Sequence, residues 1–140
     1  RMKLFFSAQD LHELHLGLVR NNTFVDLESF ACTPEEYQHA LDCFLLKHNI
    51  STRDLGGVYI VTGPGSFTAS RVSITITNTL HFAFGLPLFP LENPERHSPN
   101  DLLVQIRDSE PLTQGQYAHV RYDRPPHITQ PYNGDKSLES

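Results

Sequence analysis

Cysteine is scarce, long apolar runs are missing and no basic excess exists, and each shortage removes a class of protein. Two cysteines occur among 140 residues. A disulfide-stapled secreted scaffold needs more, and a structural zinc site needs closer pairs than Cys32 and Cys43. Both therefore read as reduced thiols, with Cys43 expected in a core, where free cysteine usually sits. No stretch reaches the roughly 18 uncharged apolar residues of a spanning helix. The apolar run within the opening RMKLFFSAQD, about four residues, falls short of a signal peptide's core. These absences make a cytoplasmic protein with no membrane contact the expectation. The net charge is −5, so a basic face for unaided RNA or DNA binding is not expected. What is present, 39% apolar residues with charges of both signs, suits one folded domain with a real core. Internal repeats are absent.

The first thirty residues alternate like strands. KLFFS (3–7) is an apolar run, and LHLGLVR (14–20) sets Leu14, Leu16 and Leu18 against His15, Gly17 and Val19, the period of a half-buried strand. The polar AQDLHE between them fits a hairpin connection. Asn21 and Asn22 signal a turn, and TFVDLES (23–29) follows as a third strand of an antiparallel meander. A helix starts near CTPEEY, with Thr33 as its N-cap, Pro34 in the first turn and Glu35 and Glu36 at the positive end of the dipole. Tyr37, Leu41, Phe44 and His48 share one face of it, beside Ala40 and Leu45. After the break at NISTRDLGG, GVYIVTG (57–63) has the continuous β-rich character of a strand covered on both sides. LPLF (86–89) is a further short strand, LLVQI (102–106) and YAHVR (117–121) are strand candidates, and the Pro-rich, polar tail from residue 123 is expected to lie loosely on the surface.

Residues 67–84 fit two templates. Val72, Ile74 and Ile76 alternate with Ser73, Thr75 and Thr77 as in a strand, whereas Val72, Ile76, Leu80 and Ala83 form a helical stripe uninterrupted by glycine or proline. The run alone leaves both open.

The loop VTGPGSFTASR (61–71) precedes this segment and poses the chemical question. A Gly-rich turn between a buried strand and the next element can present amides to a phosphate. The loop lacks the lysine of G-x-x-x-x-G-K-[ST], and Thr68 stands where G-x-G-x-x-G requires a third glycine. As a nucleophile elbow it fails too, since Pro64 and Thr68 flank Ser66 where glycines belong. The histidines offer no metal spacing: His12 and His15 in HELH are not H-E-x-x-H, and His39, His48, His81, His97, His119 and His127 are scattered. Asp10, Asp26 and Asp54 stand near strand ends without a telling partner. A tight turn with surface histidines around it is the plain reading.

VTGPGSFTASR together with HFAFGLPLFPLEN resembles the signature loop and following segment of the TsaB (YeaZ) family, non-catalytic members of the actin-like ATPase superfamily. MKLFFSAQDLHELHLGLV resembles that family's first hairpin, and PEEYQHALDCFLLKHNISTRDLGGVYIV its helix, linker and buried strand, so the likeness spans residues 2–93. Three departures stand out. Ser7, Ala8 and Gln9 replace the family's D-T-S, removing the acid that catalytic relatives use near that turn. Ala69 replaces a glycine, and no second lobe fits into 99–140.

The resemblance implies a single α/β lobe of the ribonuclease-H/actin type, a mixed sheet in which an antiparallel meander is followed by helix, parallel strand, helix and strand. It occupies residues 1–98, with 99–140 as a short C-terminal extension. The resemblance also makes 67–84 helical. That helix would carry one apolar stripe of Val72, Ile76, Leu80 and Ala83 and a second patch of Phe67, Ile74 and Phe82, one side covering the sheet and the other facing a partner. The implied function is that of a scaffold without catalysis of its own, which supports a TsaD-like enzyme in making threonylcarbamoyladenosine on tRNA. The interface would draw on Tyr37, Leu41, Phe44, Leu45, Val72, Ile74, Ile76 and Phe82. The signature loop of Gly63, Pro64, Gly65, Ser66, Phe67, Thr68 and Arg71 would serve as architecture, with Ser66 or Thr68 capping the helix and Arg71 tied to a carboxylate or carbonyl. ATP and metal would belong to partner subunits, among them a TsaE-like ATPase, and tRNA would be met only through the complex. Self-pairing through the same helices is a variant, and a small ATP- or phosphate-binding enzyme using the GPGSFT loop is the rival.

Overall fold

A computed structural model describes residues 1–112 and 118–119. The expected strand within 117–121 falls almost wholly outside these residues, Ala118 and His119 being in no strand, and the tail from 123 lies outside them altogether. Three antiparallel strands, β1 (Lys3–Asp10), β2 (Glu13–Arg20) and β3 (Thr23–Phe30), are followed by α1 (Tyr37–Lys47), β4 (Val58–Val61), α2 (Phe67–Phe84), β5 (Leu88–Leu91) and α3 (Leu103–Asp108). The strands form one mixed sheet in the order β3-β2-β1-β4-β5, with β4 parallel to both β1 and β5.

Alternation on β1 builds the layers. Leu4, Phe6 and Ala8 face α1 and α2 and join Leu14, Leu16 and Leu18 of β2 in the larger core. Phe5 points to the opposite face, where Tyr59, Phe89 and Leu91 gather under Leu102 and Ile106 of the α3 segment. The apolar area removed from water on the two faces is the main force holding the layers together.

Local chemistry sets the helix ends. Thr33 N–H donates to Glu36 Oε1 at 2.8 Å, a capping arrangement, and the first turn, Pro34–Glu36, is a 3-10 turn leading into α1. Helix α2 begins at the N-cap Ser66, whose Oγ accepts from Ala69 N–H at 3.3 Å, so of the two proposed caps it is Ser66 that acts. Gly85 ends the helix, its N–H bonded to His81 O.

The structure corrects three sequence expectations. LLVQI is not a strand: Ser98 and Pro99 start a helical turn over Pro99–Leu102 that continues as α3, because a proline in the first turn and an Asp101 bonded to Ser98 Oγ at 3.2 Å favour helix entry. Cys43 is exposed, since it sits on α1 beside His39 and not beside the inward-facing Leu41 and Phe44. The connection AQDLHE is mostly strand, with β1 running to Asp10 and β2 starting at Glu13.

Candidate functional site: the signature loop and the outer face of helix α2

The loop between β4 and α2 is fastened from within. Ser66 N–H donates to Gln9 O at 2.6 Å and Asn93 N–H to Gly63 O at 2.9 Å. Gln9 Nε2 donates to Pro64 O at 2.6 Å and to Asn93 O at 2.8 Å. Asn93 Nδ2 donates in turn to Gln9 Oε1 and His97 O, each at 2.9 Å. Gln9 and Asn93 are buried, so every bond they make offsets a desolvation cost. The two glycines serve this closure. Gly63 has φ 123°, open to glycine and strained for other residues. A Cβ on Gly65 would stand 2.6 Å from Gln9 O, so the loop backbone lies directly on the end of β1. Where a phosphate cradle would offer a Ser66 amide to an anion, that amide is bonded to the chain's own carbonyl.

Gln9 and Asn93 were not singled out as site residues from the sequence. The one available signal was that Gln9 closes the Ser7-Ala8-Gln9 run that stands in place of D-T-S at the end of β1. Beside the network lies a polar cleft of about 250 Å³ lined by Ser7, Asp10, Glu13, His15, Arg96 and His97, among others. Asp10 pairs there with Arg96. Asp54 instead accepts from Ser51 N–H at 3.0 Å, which with the Ser51 hydroxyl holds its carboxyl below the usual range. The acids considered for proton transfer are thus dispersed.

Among the described residues Arg71 bonds to no carboxylate or carbonyl; its guanidinium lies over the Phe67 ring, 5.1 Å from the centroid, a cation–π contact. The pair opens an apolar groove of about 350 Å³ on the outer side of α2, completed by Thr68, Val72, Thr75 and Ile76. The inner side of the helix is Ala69, Ser70, Ser73, Ile74, Thr77 and Leu80, all buried. The expected stripes are therefore redistributed. Leu80 and Ile74 turn inward together, Val72 and Ile76 stay half-buried at the groove, and Phe82 is 78% exposed.

Of the residues expected at a partner interface, Tyr37, Leu41, Phe44, Leu45 and Ile74 are buried by the chain's own core. Tyr37 is fully enclosed and its Oη has no hydrogen-bond partner among the described residues. Burial, reinforced by nearby Cys32 and Asp10, pushes its pKa up to about 12. Val72 and Ile76 are half-buried against that core, and Phe82 is exposed, as is Phe67.

No described helix is long and apolar enough to cross a membrane. Among solved structures, the chain is similar to YeaZ from Pseudomonas aeruginosa, with a TM-score of 0.58 at 15% identity over 66% of this chain and 44% of that one. A second P. aeruginosa structure, an uncharacterized protein with similarity to peptidase YeaZ, matches with a TM-score of 0.58 at 15% identity over 66% of this chain and 43% of that one. The chain thus spans less than half the length of either. T. thermophilus RuvC in complex with Holliday junction substrate aligns with a TM-score of 0.50 at 11% identity, over 79% of this chain and 99% of that one. These likenesses place the fold as an actin-like, ribonuclease-H-like lobe. The family model for TsaD, tRNA N6-adenosine threonylcarbamoyltransferase, matches residues 35–114, a span running from the first turn before α1 past α3. The chain belongs to the TsaD family, and its fold is that of a YeaZ (TsaB)-like lobe.

Proposed function

We propose that this lobe is a non-catalytic scaffold that docks on and stabilises a TsaD-like enzyme during threonylcarbamoyladenosine formation on tRNA. One observation carries the reading: α2 packs Ala69, Ser70, Ser73 and Thr77 with Ile74 and Leu80 against its own core, and on its outer side leaves Phe67 and Phe82 exposed beside the half-buried Val72 and Ile76. A helix that serves only its own domain turns polar residues, not two phenylalanines, toward water, and exposed apolar surface of this kind marks an interaction site. The lobe of residues 1–98 supplies this face, and the extension from 99 adds α3 to the far side of the sheet. ATP and metal belong to the partner subunits in this reading, a TsaE-like ATPase among them, and tRNA is met through the complex.

The fastened loop supports the same side. A phosphate-binding enzyme would need the Ser66 amide that Gln9 O already occupies. Mixing the purified chain with a TsaD-like protein from the same cell, read by light scattering, tests the scaffold: a heterodimer is expected, and a chain that stays monomeric or pairs only with itself removes the proposal. Calorimetry with ATP and Mg²⁺ on the chain alone tests the rival. Micromolar binding there would favour the enzyme.

A further inference from the structure

Helix α1 ends against the edge strand β3 in a cluster that the function above does not use. Asp26 and Glu28 stand two residues apart on β3 and so project to one face. His48 is the C-cap of α1, its ring held edge-on to Phe44 with centroids 4.8 Å apart. One donor atom from each of the three lies within 4.8 Å of the others. His48 Nε2 is 2.8 Å from Asp26 Oδ2 and 3.9 Å from Glu28 Oε2. That nitrogen is shut off from solvent, and the Asp26 oxygen beside it lies off the line of a well-formed N–H bond. Held together by a proton on the imidazole, the pair is an ordinary ion pair; with that nitrogen unprotonated, its lone pair and the carboxylate repel unless a metal cation lies between them.

The geometry and charge point the same way. Bonds of about 2.0–2.2 Å from a cation to nitrogen and oxygen ligands put neighbouring donors roughly 3 Å apart, the scale of the spacing here. The carboxylates outnumber Lys47, whose ammonium pairs with Glu28, and the carbonyl end of α1 adds negative potential. We propose that Asp26, Glu28 and His48 form a site for a divalent transition cation of the Zn²⁺ type, which clips the edge of the sheet to the end of α1. Mixed imidazole and carboxylate donors select such an ion over Mg²⁺, and water completes the shell on the open side. Lys47 is then a built-in competitor for Glu28.

Calorimetric titration of the full chain with Zn²⁺, and with Mg²⁺ as the counter-probe, tests the site. One saturable Zn²⁺ site is expected in the native chain, weakened at least about tenfold in Asp26→Asn and His48→Gln. Lys47→Ala should tighten it about threefold by freeing Glu28, whereas a plain ion-pair cluster would only lose a contact. Cys43→Ser controls for the one other thiol–imidazole pair nearby, Cys43 Sγ and His39 Nε2 at 3.5 Å, and should change nothing. No saturable binding, loss of binding in Cys43→Ser, unchanged affinity in the Asp26 and His48 variants, or weaker binding in Lys47→Ala would each overturn the assignment. Far-UV circular dichroism checks folding, and if Asp26→Asn or His48→Gln is unfolded, Glu28→Gln carries the same expectation of tenfold loss. None of these readouts depends on a TsaD-like partner, so they stand or fall apart from the scaffold reading.

Discussion

The two sides of α2 contrast in both chemistry and fit. Its inner side carries Ala69, Ser70, Ser73 and Thr77 with only Ile74 and Leu80 as larger apolar groups. Two of those hydroxyls are met within the helix, Ser73 Oγ donating to Ser70 O at 2.9 Å and Thr77 Oγ1 to Ser73 O at 3.1 Å, while Ser70 Oγ is buried with no hydrogen-bond partner among the described residues. Small side chains let the helix backbone lie close on β1. The outer side holds Phe67, Val72 and Ile76 around an open groove, with Phe82 exposed toward the helix end. A helix so arranged is tight where it meets its own sheet and loose where it meets water. The closed side should be intolerant of change and the open side indifferent, in the isolated chain.

The largest effect should come from filling the contact between the loop and β1. Gly65→Val places a branched side chain against Gln9 O, where even a Cβ would stand at 2.6 Å, and backbone cannot yield as a flexible side chain does. A loss of about 3 kcal/mol is expected in urea unfolding. A variant as stable as the native chain would mean that the loop does not rest on β1.

Close behind is an alkaline loss that belongs to Tyr37. Its pKa is raised from 10.0 to about 12 by burial, then by Cys32 and Asp10, so the ionised phenolate favours the unfolded chain. The folded value lies above the unfolded one: stability is whole below about pH 10 and falls as pH climbs toward 12. Two pH units correspond to about 2.7 kcal/mol. Because other groups titrate in the same window, the measure is the difference between native chain and Tyr37→Phe. The variant, which removes an unpartnered buried hydroxyl, should match or exceed native stability at neutral pH and show a shallower alkaline decline. Identical pH profiles would contradict the enclosure of that side chain.

Gln9→Leu should cost about 2 kcal/mol, because it strands the Asn93 amide and two carbonyls in a dry setting. The conservative Gln9→Glu keeps an acceptor for Asn93 but loses the donor to Pro64 O and Asn93 O, and should destabilise as well. If both variants melt like the native chain, the network is not what fastens the loop.

These residues differ in how legible they were. The meander could be read from Leu14, Leu16 and Leu18, and the start of α1 from Thr33 and Pro34, because both depend on short-range period and capping. Helix α2 could not be read locally. Its Ser and Thr residues mimic strand alternation, and what makes them helical is an internal hydroxyl bonding pattern and a close sheet, both products of packing. The LLVQI segment misled for a related reason: four aliphatic residues in five suit either state, and the decision rested on Ser98, Pro99 and Asp101 just upstream. Asp26 and Glu28 meet His48 only because β3 and the end of α1 become neighbours in the fold, which no spacing rule contains. The interface residues divided along the same line. A helical period identifies which side chains share a face, but whether that face meets the sheet or water depends on how close the backbones come. Tyr37, Leu41, Phe44 and Leu45 therefore went inward.

The smallest effect on folding, and the sharpest test of the contrast, lies on the open side. Phe82 is 78% exposed and Phe67 48% exposed, so Phe82→Asp removes little buried area and Phe67→Asp about half of a ring's. Phe82→Asp should shift stability by less than about 0.5 kcal/mol, the ordinary range for a surface change, and Phe67→Asp by about 1 kcal/mol. Phe67→Asp also gives Arg71 a carboxylate in place of the ring it lies over, which replaces one weak contact with another. Against a TsaD-like partner the same variants should lower affinity by roughly tenfold or more, since an aromatic anchor at the centre of an interface dominates its energetics and a buried unpaired carboxylate is costly. Phe67 borders the groove and Phe82 lies toward the helix end, so the larger loss is expected for Phe67→Asp. Melting curves and light scattering on the same samples separate the two quantities. Equal loss of stability and binding would mean that the outer side packs against the chain itself, and no loss of either would mean that the groove is not where a partner sits.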